Sequence, residues 1–127
     1  MKPSTAEWVA KAEGDWRTAG RELRAPESPN YDAACFHSQQ CAEKYLKAVL
    51  AEAGVSFRKT HDLGLLLDLA LPLEPSWEEL RHPLGRLAAL GMEARYPGLI
   101  ADADAAAEAV RTAERLRSVC RPVLGLP

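Results

Sequence analysis

Three short runs of this 127-residue chain carry side chains that could do chemistry. In the first, Arg58, Lys59, Thr60, His61 and Asp62 set two cations and an imidazole beside a predicted helix start, where unpaired N–H groups also attract anions. In the second, Arg95 and Tyr96 come immediately before Pro97 and Gly98, so a guanidinium and a phenol leave the bundle together where the backbone turns. Arg grips phosphate or carboxylate through two parallel N–H donors, and Tyr can stack on a base. In the third, Gln39, Gln40, Glu43, Lys44 and Lys47 follow helical spacing: 40, 44 and 47 share one edge, and 39, 43 and 47 an adjoining one. Such an edge could hold a phosphate or a partner's carboxylate.

Each run also has a plainer structural explanation. Thr60 can cap the helix while His61 packs on a neighbour. Arg95 can bridge to Glu93 or Asp62. The edge of the third run can be solvated, with a Glu43–Lys47 pair worth about 0.2–0.5 kcal/mol. His37 and His82 have no Cys, His or carboxylate partner at metal-ligand spacing, and no Walker loop, GxGxxG, HExxH or GxSxG motif occurs. No metal and no cofactor is expected.

The elements that must position these side chains read as helices throughout. Ser4 with Glu7 has capping-box spacing, and Trp8, Ala12, Trp16, Ala19 and Leu23 then recur every three or four residues. Asn30 can cap a second helix, whose wide apolar stripe (Tyr31, Ala34, Cys35, Cys41, Ala42, Tyr45, Leu46, Val49, Leu50, Ala53) runs into Gly54. Thr60 is the expected cap of a shorter third helix, and Ser76 with Glu79 forms another capping box. Pro83 should kink or restart the helix that follows, because it lacks a backbone donor. Acids at 102, 104 and 108 giving way to Arg111, Arg115, Arg117 and Arg121 mark a last helix running to 121. The fold class expected is all-α: an up-and-down bundle of four to five helices in a single domain, 1–127. Trp8, Trp16, Phe36, Tyr45, Leu46, Leu66, Leu87 and Val110 are expected in its core.

Bulk properties narrow the function classes. A net charge of −2 rules out a global basic field, so any nucleic-acid binding must come from local clusters of Lys and Arg. Cys35, Cys41 and Cys120 are odd in number and form no CxxC pair, the pattern of reduced, buried thiols. The opening stretch has no leader-type apolar region, and no window approaches the roughly 18 apolar residues of a membrane span. A cytoplasmic location without membrane attachment is the expectation.

Taken in order, KAEGDWRTA, FHSQQCAEKYLKAVL, THDL, EARYPG and AVRTAERLRSVC resemble the HEPN domain family, the higher eukaryote and prokaryote nucleotide-binding domains, over nearly the whole chain. The resemblance implies a homodimeric helical bundle and, as a partner, a separately encoded minimal nucleotidyltransferase in a two-component, toxin-antitoxin-like system. It also implies that nucleotide or partner binding would fall among Gln40, Lys44, Lys47, Arg58, Lys59, His61, Asp62, Arg95 and Tyr96. Many HEPN domains are metal-independent ribonucleases with an Arg-x(4–6)-His motif. Arg95 stands where the family Arg aligns, yet no His follows it. Little or no ribonuclease activity is therefore expected, with two alternatives: an RNA endonuclease using Arg95 with His61 across a dimer, or a purely structural homodimer.

Overall fold

A computed structural model describes all 127 residues. The chain is all-helical: α1 (Pro3–Arg24), α2 (Tyr31–Glu52), α3 (Leu63–Ala70), a 3-10 turn (Pro75–Leu80), α4 (Arg81–Glu93) and α5 (Ala103–Val123). Helix α2 is the axle. It packs against α1, α3, α4 and α5, and thirteen of its residues are buried, well beyond the single stripe of a surface helix.

Local chemistry sets the helix ends. The side chain of Asn30 accepts from the Ala33 N–H at 2.9 Å and starts α2. At the other end Gly54 has φ +72°, its N–H reaches the Ala51 carbonyl, and the Val55 N–H reaches the Leu50 carbonyl, the paired bonds of a Schellman stop. Asp102 caps α5 through the Ala105 N–H at 2.8 Å. Asp32 accepts from the Ala101 N–H at 2.8 Å, which ties the segment after α4 to the first turn of α2.

Three caps differ from the sequence expectation. Helix α1 begins at Pro3 with no side-chain cap, since proline at the first position needs no donor partner. The acceptor there is Glu52, which takes the Lys2 N–H and the Thr5 hydroxyl. Asp62, two residues beyond Thr60, caps α3 through the Leu65 N–H, while Thr60 Oγ accepts from the Asp62 N–H and closes the turn before it. Ser76 caps nothing: Pro75–Leu80 is a 3-10 turn, and α4 restarts at Arg81, leaving Pro83 in the first turn where its missing N–H costs no helical bond. Helix α5 runs two residues past Arg121.

The core is built from Tyr45, Leu46, Leu50, Leu66, Leu67, Leu84, Leu87 and Leu116 among others. Trp8, Trp16 and Phe36 are only half-buried, because the innermost positions of α1 go to Val9, Ala12 and Ala19. The small residues let α1 approach α2 closely and leave the indoles at its borders. All three cysteines are buried; burial, with Asp32 nearby, pushes the Cys35 thiol up to about 11, and burial pushes Cys41 and Cys120 up further. No helix is long and apolar enough to cross a membrane.

Candidate functional site

A cleft of about 440 Å³ opens between α2, the start of α3 and the end of α4, lined by Gln39, His61, Asp62, Leu63, Ala88, Met92 and Arg95. Helix α2 supplies its floor. Gln39, Glu43 and Lys47 lie at four-residue steps, one above another on the helix, and all three are at least 95% buried. Lys47 Nζ donates to Glu43 Oε2 at 2.9 Å, and Gln39 Nε2 donates to Glu43 Oε1 at 3.3 Å. The Gln39 amide also donates to the His61 carbonyl at 3.3 Å and accepts from Gln40 at 2.8 Å.

His61 completes the chain of contacts. Its Nδ1 is 2.9 Å from Glu43 Oε1, and because a carboxylate can only accept, Nδ1 is the donor. That fixes the tautomer: in the neutral ring Nε2 is left as a free acceptor. The imidazole itself is exposed, anchored on its inner edge to a carboxylate that is not.

Arg95 reaches the same cleft from two residues beyond the end of α4. Its N–H bonds the Met92 carbonyl at 3.1 Å, a tightened last turn, and its guanidinium carbon lies 5.0 Å from the centroid of the Phe36 ring on α2. It makes no ion pair with Glu93, Asp62 or any other acid, and it lines the cleft. Gly91 permits the approach of α4 to α2: a Cβ there would lie 2.6 Å from the Cβ of Gln39.

The nine residues singled out from sequence therefore do not form one surface. His61, Asp62 and Arg95 line the cleft, and Gln40 touches it through Gln39. Tyr96 is exposed next to Arg95, and Arg58 and Lys59 are exposed on the turn before His61. Lys44 turns toward α1, where Asp15 holds it at 2.6 Å and holds His37 Nδ1 at 2.8 Å. Lys47 is spent on Glu43 and roofed by aromatic rings, its ammonium 5.2 Å from the Trp8 centroid and 5.9 Å from that of Phe57. Gln39, Glu43 and Phe36 were not among the nine. The four-residue register of Gln39, Glu43 and Lys47 is the helix edge already visible in the sequence, where a solvated edge was the plainer explanation; the structure buries it.

A second polar cluster joins α1, α2 and α5. Glu13 accepts from Arg117 at 2.7 and 2.9 Å and from the Tyr45 hydroxyl, with Arg121 3.4 Å away. The Arg117 hydrogen bonds dominate and, against the opposing effect of burial, hold the Glu13 carboxyl at about 2. Burial and the bond to Glu13 push the Tyr45 phenol well up. The cluster ties α1, α2 and α5 together through one carboxylate.

A five-helix bundle with an open cleft, holding Arg95 and His61, against its central helix defines a class of small all-α proteins. The HEPN domain profile matches residues 5–123, and the chain belongs to the HEPN domain family. Its fold is similar to the crystal structure of ST0689, an archaeal HEPN homologue, with a TM-score of 0.72 and 26% identity over 96% of this chain and 98% of that one. It is also 34% identical over 74 residues to "Putative toxin MJ1304" of Methanocaldococcus jannaschii, a match covering 57% of this chain and 47% of that protein. The aligned part thus spans about half the length of that relative.

Proposed function

We propose that this HEPN protein is the toxin-like member of a two-component system, and that its α2–α3–α4 cleft takes the phosphate of a nucleotide or of an RNA strand. The observation that carries the reading is the shared cleft of His61 and Arg95. An arginine with no acidic partner, packed on Phe36 in a cleft that an imidazole also lines, suits a phosphate: two parallel N–H bonds from the guanidinium, a third contact from His61. The named toxin relative supports the toxin-like part. The partner would be a separately encoded minimal nucleotidyltransferase, and the working form a homodimer. Met92, Tyr96, Leu99 and Ile100, the last 88% exposed, give an apolar rim beside Arg95 that a second copy would cover.

Titration of the purified protein with a nucleoside triphosphate and with a short single-stranded RNA tests this. Bonds to charged groups contribute about 1.5–3 kcal/mol, so a His61→Ala, Arg95→Ala double variant should bind roughly ten- to a hundredfold more weakly. Equal affinity in wild type and variant would remove the cleft from consideration.

One observation favours a second reading, metal-independent RNA cleavage. Glu43 fixes His61 with Nε2 free, the orientation a general base needs, and Arg95 is placed to meet charge developing on a phosphate. Strand cleavage in chelator is its test.

A further inference from the structure

We infer that the groove between the second half of α1 and α5 is a docking strip for the phosphate backbone of an RNA strand. The nature of the ligand rests on the nucleic-acid reading above; the place rests on residues that reading does not use. Arg17, Arg21 and Arg24 recur at i, i+4 and i+7 and so share one face of α1. At a rise of 1.5 Å per residue they step about 6 and about 4.5 Å along the axis. All three are exposed and none meets a carboxylate. That sets them apart from Arg81, Arg86, Arg115, Arg117 and Arg121, each of which sits on an acid. In a chain of net charge −2, three unpaired guanidiniums on one strip are a local concentration of positive charge.

The groove holds about 250 Å³, and its walls are Trp16, Arg17, Gly20, Arg21, Arg24 and Glu114. Gly20 is the informative member. A glycine weakens a helix interior, and the atoms a Cβ there would meet first are those of the Arg24 guanidinium, at 2.8 Å from Nη1. What Gly20 makes room for is Arg24, laid back along α1 on the floor of the groove, the direction helical side chains lean. Arg21 is likewise drawn back, its Nε bonded to the Arg17 carbonyl at 3.4 Å.

Trp16 is the one apolar side chain in the groove. The Arg117 guanidinium lies 3.9 Å from its ring centroid and is itself held by Glu13, so the indole is held in place with one face covered. A protein partner anchors through several apolar side chains, and this groove offers them Trp16 alone among its residues. A nucleic-acid strand supplies what the groove lacks, phosphates for the arginines and a base face for the indole. Glu114, the single carboxylate, can accept from the amino group of a base.

Fluorescence anisotropy of a labelled single-stranded RNA, titrated with the full chain at several salt concentrations, decides the matter. With roughly 0.7 counterions released per phosphate on single strands, an Arg17→Gln, Arg21→Gln, Arg24→Gln variant should bind more weakly, and its slope of log affinity against log salt should fall by about 2. Gly20→Ala, which favours the helix but displaces Arg24, should weaken RNA binding while leaving the melting temperature unchanged or raised. Unchanged affinity and slope in the triple variant would overturn the inference, as would an equal loss of polyglutamate binding, which would point to an acidic peptide. The cleft variant His61→Ala, Arg95→Ala separates the two proposals. RNA binding kept there but lost in the triple variant upholds the strip and fails the cleft, and the reverse pattern fails the strip.

Discussion

The Nδ1 of His61 lies 2.9 Å from the Oε1 of Glu43, joining an imidazole that is 68% exposed to a carboxylate that is 3% exposed. A bare carboxylate at that depth would be costly, and Glu43 is tolerated because Lys47, Gln39 and His61 fill its acceptor positions. The spacing of Glu43 and Lys47 is that of a surface pair worth a few tenths of a kcal/mol. Burial makes it a different object: a charged row along α2, almost wholly out of solvent and joined to the exposed His61 ring.

Breaking the row from one side should therefore be expensive. Glu43→Gln leaves the Lys47 ammonium buried among Trp8 and Phe57 with no counter-charge, and should cost about 3 kcal/mol or more in urea unfolding. Replacing both partners, Glu43→Gln with Lys47→Met, should recover a good part of that loss, since a buried ion pair gains little over apolar packing. A double variant as unstable as the sum of the two singles would show that the pair does not interact.

Much of the bundle is legible in the sequence because its signals are local. The Asn30 cap, the Gly54 stop and the apolar stripe of α2 depend on residues within one or two turns of each other. Thr60 and Asp62 are equally good caps, and the choice between them depends on where α3 docks against α2. Glu43 fails for the same reason. Its carboxylate meets His61 from the turn before α3, a contact eighteen residues distant, and no property of the helix itself separates Glu43 from Lys44, which faces Asp15 on α1. The sequence sets Arg95 with His61 only across a dimer, whereas the tertiary arrangement brings both into one cleft of a single chain.

Gly91 tests how tightly the cleft is set. It is buried on α4 directly over Gln39, and a methyl group would meet the Gln39 Cβ at 2.6 Å and Cγ at 2.9 Å, too near the backbone of α2 to swing aside. Gly91→Ala should push α4 away from α2 and destabilise the fold by about 1–3 kcal/mol, against the gain in helix propensity. Arg95 moves with α4, so ligand affinity should fall in the same variant. Thermal melts together with titration check both effects.

Acid stability should carry the mark of Glu13. Its folded-state value of about 2, against an ordinary 4.5, means that the folded chain binds this proton less readily than the unfolded one. The stabilisation is complete above about 4.5 and is lost progressively as pH falls toward 2. Glu13→Gln should flatten the dependence of melting temperature on pH in that window and lower stability at neutral pH. Exposed carboxylates such as Glu52 and Glu78, also held low, contribute to the remaining slope, so the comparison is between the two curves.

RNA cleavage by this protein should be slow or absent although binding is retained. Cleavage needs one group to take the 2′-OH proton, another to protonate the leaving oxygen, and positive charge on the phosphorane, the acid–base part alone typically contributing about 10²- to 10⁴-fold. The cleft has the charge in Arg95 and one histidine, His61. His37 is held by Asp15 on the α1 side of α2, and His82 is exposed on the first turn of α4, outside the cleft. A single imidazole cannot stand protonated and deprotonated in one encounter, so both roles would need a second His61 from another copy. In chelator at neutral pH, wild type should bind labelled RNA and cleave it no faster than the His61→Ala variant, with Lys44→Met binding like wild type because its ammonium is committed to Asp15. Cleavage that survives chelator and disappears in both His61→Ala and Arg95→Ala would reverse this expectation and establish the cleft as a ribonuclease centre.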